Sequence, residues 1–429
     1  MRENGRVWTP ESVFENQRRR DLVRAQDMEA GAFGFFQPFQ SMKAWTRAEF
    51  LQDPAGRTEV FVRFSRSGLG DCFGGAGDIR GFFVKFYTRR GNYDVTGLNV
   101  PLFFIRDPLK YGDLIRALEP AAASCRPDPE KAWDFCSRCP ETLNLIVRLL
   151  GEGGTVRDYG EMDGHGVNTF VWEADGGERR LVKYHFLSRR KKEAAAEASG
   201  ADRDAAARRL YEALRLGEAL EYEFAVQMMD LETAWGLEFD PLDCTKIWPE
   251  DRFPLVRAGL LTLNRNPEDQ ASQVDQAVFD PGSLVPGVSL SGDMMLQGRI
   301  FACADAARRR LGEDYWEIAV NRPAAKEEEL PQEGEGEYAF CPPVYTADNL
   351  REPSPAFRIP EEADDFSQAA AYWRGLGEEK KERLAAGAGR QLALCSPAVR
   401  ERELELFWKT DRDLADRVRA CLSGYGFSQ

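Results

Sequence analysis

Short runs of β-branched and aromatic residues recur along the first part of the chain, and they limit its possible folds more than any other feature. Runs of this composition are typical of β-strands. They cover residues 60–64, 81–87, 100–105, 221–228 and 260–263. Two further runs, 168–173 and 180–186, flank Ala-Asp-Gly-Gly, which predicts a β-hairpin. The glycines of residues 30–36 are expected to permit tight turns.

Helical patterns interrupt and follow the strand-rich region. Residues 130–150 read as an amphipathic helix broken at Pro140, and residues 189–216 as a solvated helix or a mobile insertion. Ser396 followed by Pro397 is a good start for a helix. We therefore divide the chain into an N-terminal arm (1–28), a β-barrel domain with helical insertions (29–266), a wrapping segment (267–365) that carries a helix at 293–312, and a C-terminal helical domain (366–429).

Charge and cysteine content narrow the class of protein. The net charge of −14 argues against nucleic acid or an anionic membrane surface as a partner. No run of 18 apolar residues is present, so no membrane span is expected, and the polar N-terminus contains no secretory signal. Nine cysteines, an odd number, favour reduced thiols over a disulfide framework. A cytoplasmic location is the expectation.

The helix at 293–312 carries the most reactive combination of side chains. At about 100° per residue, Arg299, Cys303, Ala306 and Arg310 share one face. An arginine one turn from a cysteine is expected to favour the thiolate, and the small Ala306 leaves room for a flat group. The alternative is an inert, buried cysteine beside solvated arginines.

Several segments resemble the sequence motifs of the haem catalases over nearly the whole chain. They are Val62–Ser65 (VRFS), Asp78–Tyr87 (DIRGFFVKFY), Asn99–Pro108 (NVPLFFIRDP), Phe239–Asp243 (FDPLD), Thr245–Pro249 (TKIWP) and Leu263–Asn266 (LNRN). The resemblance implies an α+β, catalase-like fold: an eight-stranded antiparallel β-barrel, a wrapping segment with the haem-ligand helix, and a C-terminal helical domain. It also implies haem b as cofactor and a homo-oligomer, either a dimer or a tetramer.

The resemblance also identifies which functional positions have changed. The family's distal histidine falls on Gln26, its distal asparagine on Leu98, and its iron-binding tyrosine on Cys303. Other positions match. The resemblance makes Arg63 and Arg310 partners of the haem propionates, puts Ser65 beside the distal position, and puts Arg299 beside the axial ligand. Phe103 and Phe104 would lie near the ring.

These substitutions predict altered chemistry. Cysteine can bind iron as an anion, so Cys303 is the candidate axial thiolate, which Arg299 could tune by a hydrogen bond to sulfur. Gln26 would orient bound oxygen and Leu98 would contact an organic substrate. We expect a haem-thiolate enzyme that oxygenates a substrate with peroxide, or rearranges or dehydrates an organic hydroperoxide. The alternatives are a non-catalytic haem sensor or pseudo-enzyme, and a residual catalase or peroxidase.

Two further patterns are expected to be structural. Cys136 and Cys139 form a C-x-x-C pair that we assign to packing, and a zinc site would lack ligands because the chain contains only His165 and His185. His185 matches a histidine of the catalase barrel and is assigned a structural or channel-lining role. The residues after His185 differ from the family, so nicotinamide dinucleotide binding is not predicted.

Overall fold

The computed structural model describes residues 29–66, 73, 79–119, 127–152, 156, 158–190, 204–234, 236–324 and 363–424, besides an isolated pair of two-residue strands, Arg2–Glu3 and Arg6–Val7. Its main sheet contains β1 (Ala30–Pro38), β2 (Thr58–Arg66), β3 (Arg80–Thr88), β4 (Gly91–Leu98), β5 (Gly164–Gly166), β6 (Phe170–Glu173), β7 (Arg179–Ser188), β8 (Leu220–Asp230), β9 (Val256–Arg265) and β10 (Val288–Leu290). The helices are α1 (Tyr111–Leu118), α2 (Pro129–Arg138), α3 (Leu143–Glu152), α4 (Ala205–Arg215), α5 (Leu231–Ala234), α6 (Met294–Leu311), α7 (Ser367–Gly375), α8 (Glu378–Leu392), α9 (Pro397–Thr410) and α10 (Arg412–Ser423).

Eight of these strands close into an antiparallel barrel, as the sequence predicts. Strands β1 to β5 pair in order, β5 pairs with β7, and β7, β8 and β9 lead back to β1. Strand β6 pairs with residues 179–182 of β7, the part of that strand that does not pair with β5. The two strands form the predicted hairpin, and Gly177 in its turn has a φ of 85°. Strand β10 pairs antiparallel with β6 at the end of the sheet. Closure satisfies the backbone hydrogen bonds that an open sheet would leave exposed at its edges.

Alternation along the strands decides which side chains fill the barrel. In β2, Val60, Val62 and Phe64 are fully buried in the core that all the barrel strands share. Arg63 and Ser65 alternate with these residues and therefore project from the outer face. Aromatic rings occupy the interior, with Phe36 in edge contact with Phe86 and with Phe224. The barrel is thus a packed core, and its polar side chains meet the rest of the chain outside it.

Two strand-region expectations are wrong. Residues 100–105 are not a strand; the strand is β4, which ends at Leu98. Pro101 lacks an N–H for a ladder, and the Phe103 amide instead donates to the Cys244 carbonyl at 2.8 Å. Residues 30–36 contain no tight turns, because they lie within the continuous strand β1. Its glycines instead allow the backbone of a neighbouring strand to approach closely. A Cβ at Gly34 would lie 1.9 Å from the Thr262 carbonyl oxygen of β9.

The predicted helices agree with the structure where it describes them. α2 and α3 are separated by a short turn at Pro140–Thr142, and α6 begins after Asp293 and ends before Gly312. α9 starts at Pro397, although the Ser396 side chain does not cap it. Of residues 189–216, 205–215 form α4, whereas 191–203 lie outside the described residues, as do 325–362 of the wrapping segment. Composition did not predict β10, which adds residues 288–290 to the sheet.

A buried network of charges connects the barrel side of the molecule to the first residues of the C-terminal helical region. Arg106 donates to Asp243 at 2.6 Å and also contacts Glu141 and Asp365. Lys246 lies 3.4 Å from Asp365. The desolvation cost of buried carboxylates must be offset by cations and hydrogen bonds, so this network fixes the position of the residues near 365.

The described cysteines agree with the prediction of reduced thiols. Five of them, at positions 139, 244, 303, 395 and 421, carry free thiols. Among the residues with described placement, no helix has the length and apolar character needed to cross a membrane.

Candidate functional site

The start of helix α6 is fixed by one buried carboxylate. Asp293 precedes the helix, and its Oδ1 accepts a hydrogen bond from the Leu296 amide at 3.0 Å. Its Oδ2 accepts from the Thr169 amide at 3.1 Å and from Nδ2 of Asn168 at 2.9 Å. Burial raises the pKa of Asp293 to about 6. The cap therefore connects α6 to the segment that leads into β6.

This contact also positions Arg299. An ionised carboxylate only accepts, so Asn168 must direct its NH₂ group at Asp293 and its amide oxygen the other way. That oxygen accepts from Nη1 of Arg299 at 2.6 Å. The guanidinium carbon of Arg299 also lies 5.3 Å from the ring centroid of Phe103. The expected hydrogen bond from Arg299 to sulfur is absent from the described contacts, because the guanidinium is directed to Asn168.

Replacing Asn168 with leucine is expected to lower the free energy of unfolding by about 1–3 kcal/mol, because Asp293 and Arg299 would each lose a buried hydrogen bond. Denaturant unfolding at neutral pH measures this loss. Asn264→Leu, at an exposed position of β9, is the matched control. Equal destabilisation by both substitutions would contradict the assigned role of Asn168.

Cys303 lies one turn beyond Arg299, and the residue is half-buried. Arg299 favours the thiolate, as expected, but burial outweighs its influence in the polypeptide alone. Burial raises the pKa of Cys303 to about 12, with Asp280 adding to the increase, and the opposing influence of Arg299 and Arg63 does not overcome it. A buried thiol keeps its proton unless something else replaces it.

Two guanidinium groups converge beside this helix. Nη1 of Arg63 and Nη2 of Arg310 both donate to the Ala277 carbonyl, at 2.9 and 3.0 Å. Arg63 also lies 3.3 Å from Glu29, yet its Nε is buried and has no hydrogen-bond partner within the described part of the chain. Burial and the charge of Arg310 both lower the pKa of Arg63. Arg63 therefore presents a buried donor that an anionic group could use, with the exposed Arg310 beside it.

The structure describes all but one of the remaining predicted residues. Leu98 ends β4 and packs half-buried against the cluster that contains Phe103 and Phe104, whose rings meet edge to face at 5.4 Å. Ser65 pairs with Gly81, where an added Cβ would lie 2.3 Å from the Ser65 hydroxyl. Ala306 is half-buried on α6. Gln26 lies outside the described residues, so its position stays a prediction.

Sequence reasoning missed two residues of this arrangement. Asp293 carried a recognisable signal, since an aspartate just before a helix is a typical cap. Asn168 carried none, because its role depends on a contact between distant segments. The two histidines are hydrogen-bonded to each other, Nδ1 to Nδ1 at 2.8 Å, with His185 also bonded to Gln227. Cys136 and Cys139 are buried, and burial raises the pKa of Cys139 to about 11, as expected for packing residues.

Comparison with known proteins gives a consistent assignment. Residues 14–350 match the family model described as catalase, and residues 359–422 match the one described as catalase-related immune-responsive. The chain is 37% identical to a catalase of Methanosarcina barkeri over 95% of its own length and 86% of the relative. It is 35% identical to a bromoperoxidase-catalase of Streptomyces venezuelae, over 92% of this chain and 87% of that protein.

Solved structures agree with the sequence comparison. A bacterial catalase superposes with a TM-score of 0.81 at 31% identity, covering 95% of this chain and 88% of its own. A fungal catalase also has a TM-score of 0.81, at 27% identity, with 98% of this chain and 93% of that one covered. With its closed barrel, its helix α6 and these relatives, the chain belongs to the catalase family.

Proposed function

We propose that this catalase-family protein is a haem-thiolate oxidoreductase with Cys303 as the axial ligand of haem b. It uses peroxide to oxygenate an organic substrate, or rearranges or dehydrates an organic hydroperoxide, and has little catalase activity. The names of its relatives, catalase and bromoperoxidase-catalase, support a peroxide as the reactant. The observation that carries the finer assignment is a half-buried cysteine on the helix face between Arg299 and Arg310.

The guanidinium groups support haem as the cofactor. Haem b carries two propionates, and carboxylates bind best to charged donors that have unused hydrogen-bonding capacity. Arg63 has such a donor in its buried Nε, and Arg310 reaches the same Ala277 carbonyl. Phe103 and Phe104 add aromatic surface, and the small Ala306 leaves space along the helix. Arg63, Arg310 and Cys303 would therefore hold the group from its edge and one face.

The raised pKa of the free thiol is compatible with this role. A thiol that coordinates a metal is deprotonated by it, so the metal supplies the stabilisation that burial withholds. Haem bound through thiolate supplies oxidation chemistry in which electron donation from sulfur favours O–O cleavage. Arg299, held by Asn168, contributes a fixed positive charge near that sulfur.

The other side of the site has lost the groups needed for efficient peroxide dismutation. That reaction requires a base that takes up and returns the peroxide proton. The amide of Gln26 forms hydrogen bonds but cannot perform this transfer at neutral pH. Leu98 provides an apolar surface continuous with the cluster around Phe103. These two residues favour binding of an organic molecule over rapid turnover of hydrogen peroxide.

The absorption spectrum tests the axial ligand. We expect the reduced, haem-loaded protein with carbon monoxide to show the strongly red-shifted Soret band of thiolate haem. Cys303→Ala should abolish that band, because alanine offers no ligand atom. Cys421→Ala, a partly buried cysteine of α10, should leave it unchanged. An ordinary Soret band in the native protein, unaffected by Cys303→Ala, would exclude Cys303 as the ligand.

Two alternative functions predict different activities toward peroxides. The names of the relatives favour residual catalase or peroxidase activity as the second candidate, which requires steady turnover of hydrogen peroxide. A non-catalytic haem sensor would turn over neither hydrogen peroxide nor a fatty-acid hydroperoxide. Assays with both peroxides, in the presence and absence of an oxidisable organic substrate, separate the three functions. A homo-oligomer and a cytoplasmic location stay predictions.

A further inference from the structure

We propose that Tyr111 is a further substrate-binding residue of this site, and that its hydroxyl donates a hydrogen bond to an oxygen atom of the bound substrate. The inference rests on the proposed function, because it names a residue of the same site. It also narrows the substrate to an organic molecule with an exposed oxygen acceptor, such as a hydroperoxide or an alcohol, and an apolar body.

The backbone brings Tyr111 against helix α6. Pro108–Lys110 form a short turn that leads directly into α1, whose first residue is Tyr111. This turn packs on α6 so closely that a Cβ at Gly298 would lie 2.2 Å from the Pro108 Cβ. Gly298 immediately precedes Arg299. The start of α1 is therefore held beside the part of α6 that carries Arg299 and Cys303.

Ring packing then orients the tyrosine. Its ring is stacked on Phe103, with centroids 6.4 Å apart and planes inclined by 18°. Phe103 also meets the ring of Phe104 edge to face, with centroids 5.4 Å apart, and the guanidinium of Arg299 lies 5.3 Å from the Phe103 centroid. Leu98 and Tyr111 both pack against the cluster that contains Phe103. Tyr111 is thus part of the same aromatic and apolar wall as the residues assigned to the site.

The electrostatic environment of Tyr111 agrees with this placement. Burial raises the pKa of Tyr111, the nearby Cys303 raises it further, and Arg299 acts in the opposite direction. Both Cys303 and Arg299 are therefore close enough to affect the phenol. At neutral pH the hydroxyl keeps its proton and is available as a donor.

The hydroxyl of Tyr111 differs from those of several other enclosed tyrosines. Tyr87 donates to the Val320 carbonyl at 2.7 Å, and Tyr222 to the Tyr159 carbonyl at 2.6 Å. Tyr184 accepts from the Trp172 indole at 2.9 Å. The Tyr111 side chain is half-buried, and within the described part of the chain no residue forms a hydrogen bond with its hydroxyl. A phenol in such surroundings is stabilised by a polar partner, and a substrate oxygen would supply one.

The consequence is selectivity for oxygenated ligands. Leu98 and Phe103 offer only apolar contacts, so they do not discriminate a hydroperoxide from the corresponding alkane. A hydroxyl donor in an apolar wall discriminates between these ligands, because the hydroxyl is left without a hydrogen-bond partner when the ligand lacks an acceptor. We expect a hydroperoxide or alcohol to bind roughly 5- to 10-fold more tightly than its deoxygenated analogue.

Tyr111→Phe provides the test, because it removes one oxygen atom and keeps the ring stack. The full chain is loaded with haem, and azide is titrated into the oxidised protein as a small acceptor. Carbon monoxide is added to the reduced protein and its stretching frequency is measured. We expect Tyr111→Phe to weaken azide binding about 5-fold and to raise the carbon monoxide frequency, as loss of a nearby donor does. Tyr211→Phe, on exposed α4, should change neither.

The outcomes separate this inference from the proposed function. Unchanged azide affinity and carbon monoxide frequency in Tyr111→Phe would overturn the role of Tyr111, even with a thiolate spectrum in the native protein. Changes in both readouts, together with a spectrum that is insensitive to Cys303→Ala, would support Tyr111 and overturn the thiolate assignment. A chain that takes up no haem overturns both.

Discussion

Replacing Arg63 with methionine is expected to weaken haem binding on the order of 30-fold or more, because truncating one partner of a buried charge pair costs about 2–5 kcal/mol. The substitution keeps the apolar stem and removes the guanidinium, including the buried Nε that has no partner in the described chain. Arg63→Met with Arg310→Met should weaken binding further, since both guanidiniums reach the Ala277 carbonyl. Haem affinity is measured by transfer to an apoprotein acceptor.

A modified ligand makes this test specific for the propionates. The dimethyl ester of haem carries no propionate charge, so the native protein and Arg63→Met should bind it with similar affinity. Arg252→Met, which removes a partly exposed arginine that pairs with Glu238, is the protein control and should bind haem normally. Equal haem affinity of the native protein and Arg63→Met would refute the propionate role of Arg63.

Replacing Glu403 with glutamine is expected to stabilise the protein at alkaline pH by a few kcal/mol. Glu403 faces the interior from α9 and is 1% exposed. Its Oε2 is buried and finds no hydrogen-bond partner among the described residues, and burial alone raises its pKa to about 8. In the unfolded chain the same carboxyl has a pKa near 4.5. The folded protein therefore holds a proton that the unfolded chain releases.

The sign of the pH dependence follows from this difference. Below pH 4.5 both states are protonated and Glu403 has no pH-dependent effect. Between 4.5 and about 8 the unfolded chain is increasingly favoured, and above pH 8 the loss of stability is complete. The full shift corresponds to a loss on the order of 3–5 kcal/mol. Glutamine does not ionise, so Glu403→Gln should remove this part of the decline.

Denaturant unfolding of both proteins at pH 5 and pH 9 measures the effect. The quantity of interest is the change in unfolding free energy between the two pH values, because it cancels any packing difference between the side chains. Glu405→Gln, on the solvent side of the same helix, should decline with pH as the native protein does. If Glu403→Gln and the native protein lose the same stability between these pH values, ionisation of Glu403 does not lower the free energy of unfolding, and the interpretation is wrong.

The sequence alone was sufficient for most of the architecture. β-Branched and aromatic runs predicted most of the barrel strands, since strand composition reflects a local, half-buried environment. The hairpin at Gly177 followed from turn chemistry that acts within a few residues, and the helix from Met294 to Leu311 agrees with the predicted helix at 293–312. Resemblance to the catalase motifs identified Arg63, Arg299, Cys303 and Arg310 as candidate site residues, because the position of a residue within a motif can be recognised without a structure.

Long-range contacts decided the rest. Residues 100–105 have strand composition but no strand partner, so the structure leaves them irregular. The thiol of Cys303 lies one helical turn from Arg299, yet burial outweighs the influence of that arginine and raises the pKa of Cys303. Arg299 donates to Asn168, which lies 131 residues earlier, and the described contacts include no hydrogen bond from Arg299 to the sulfur. Composition and spacing thus determined which elements form, whereas burial and partner choice, which depend on segments brought together by folding, determined what each site residue can do.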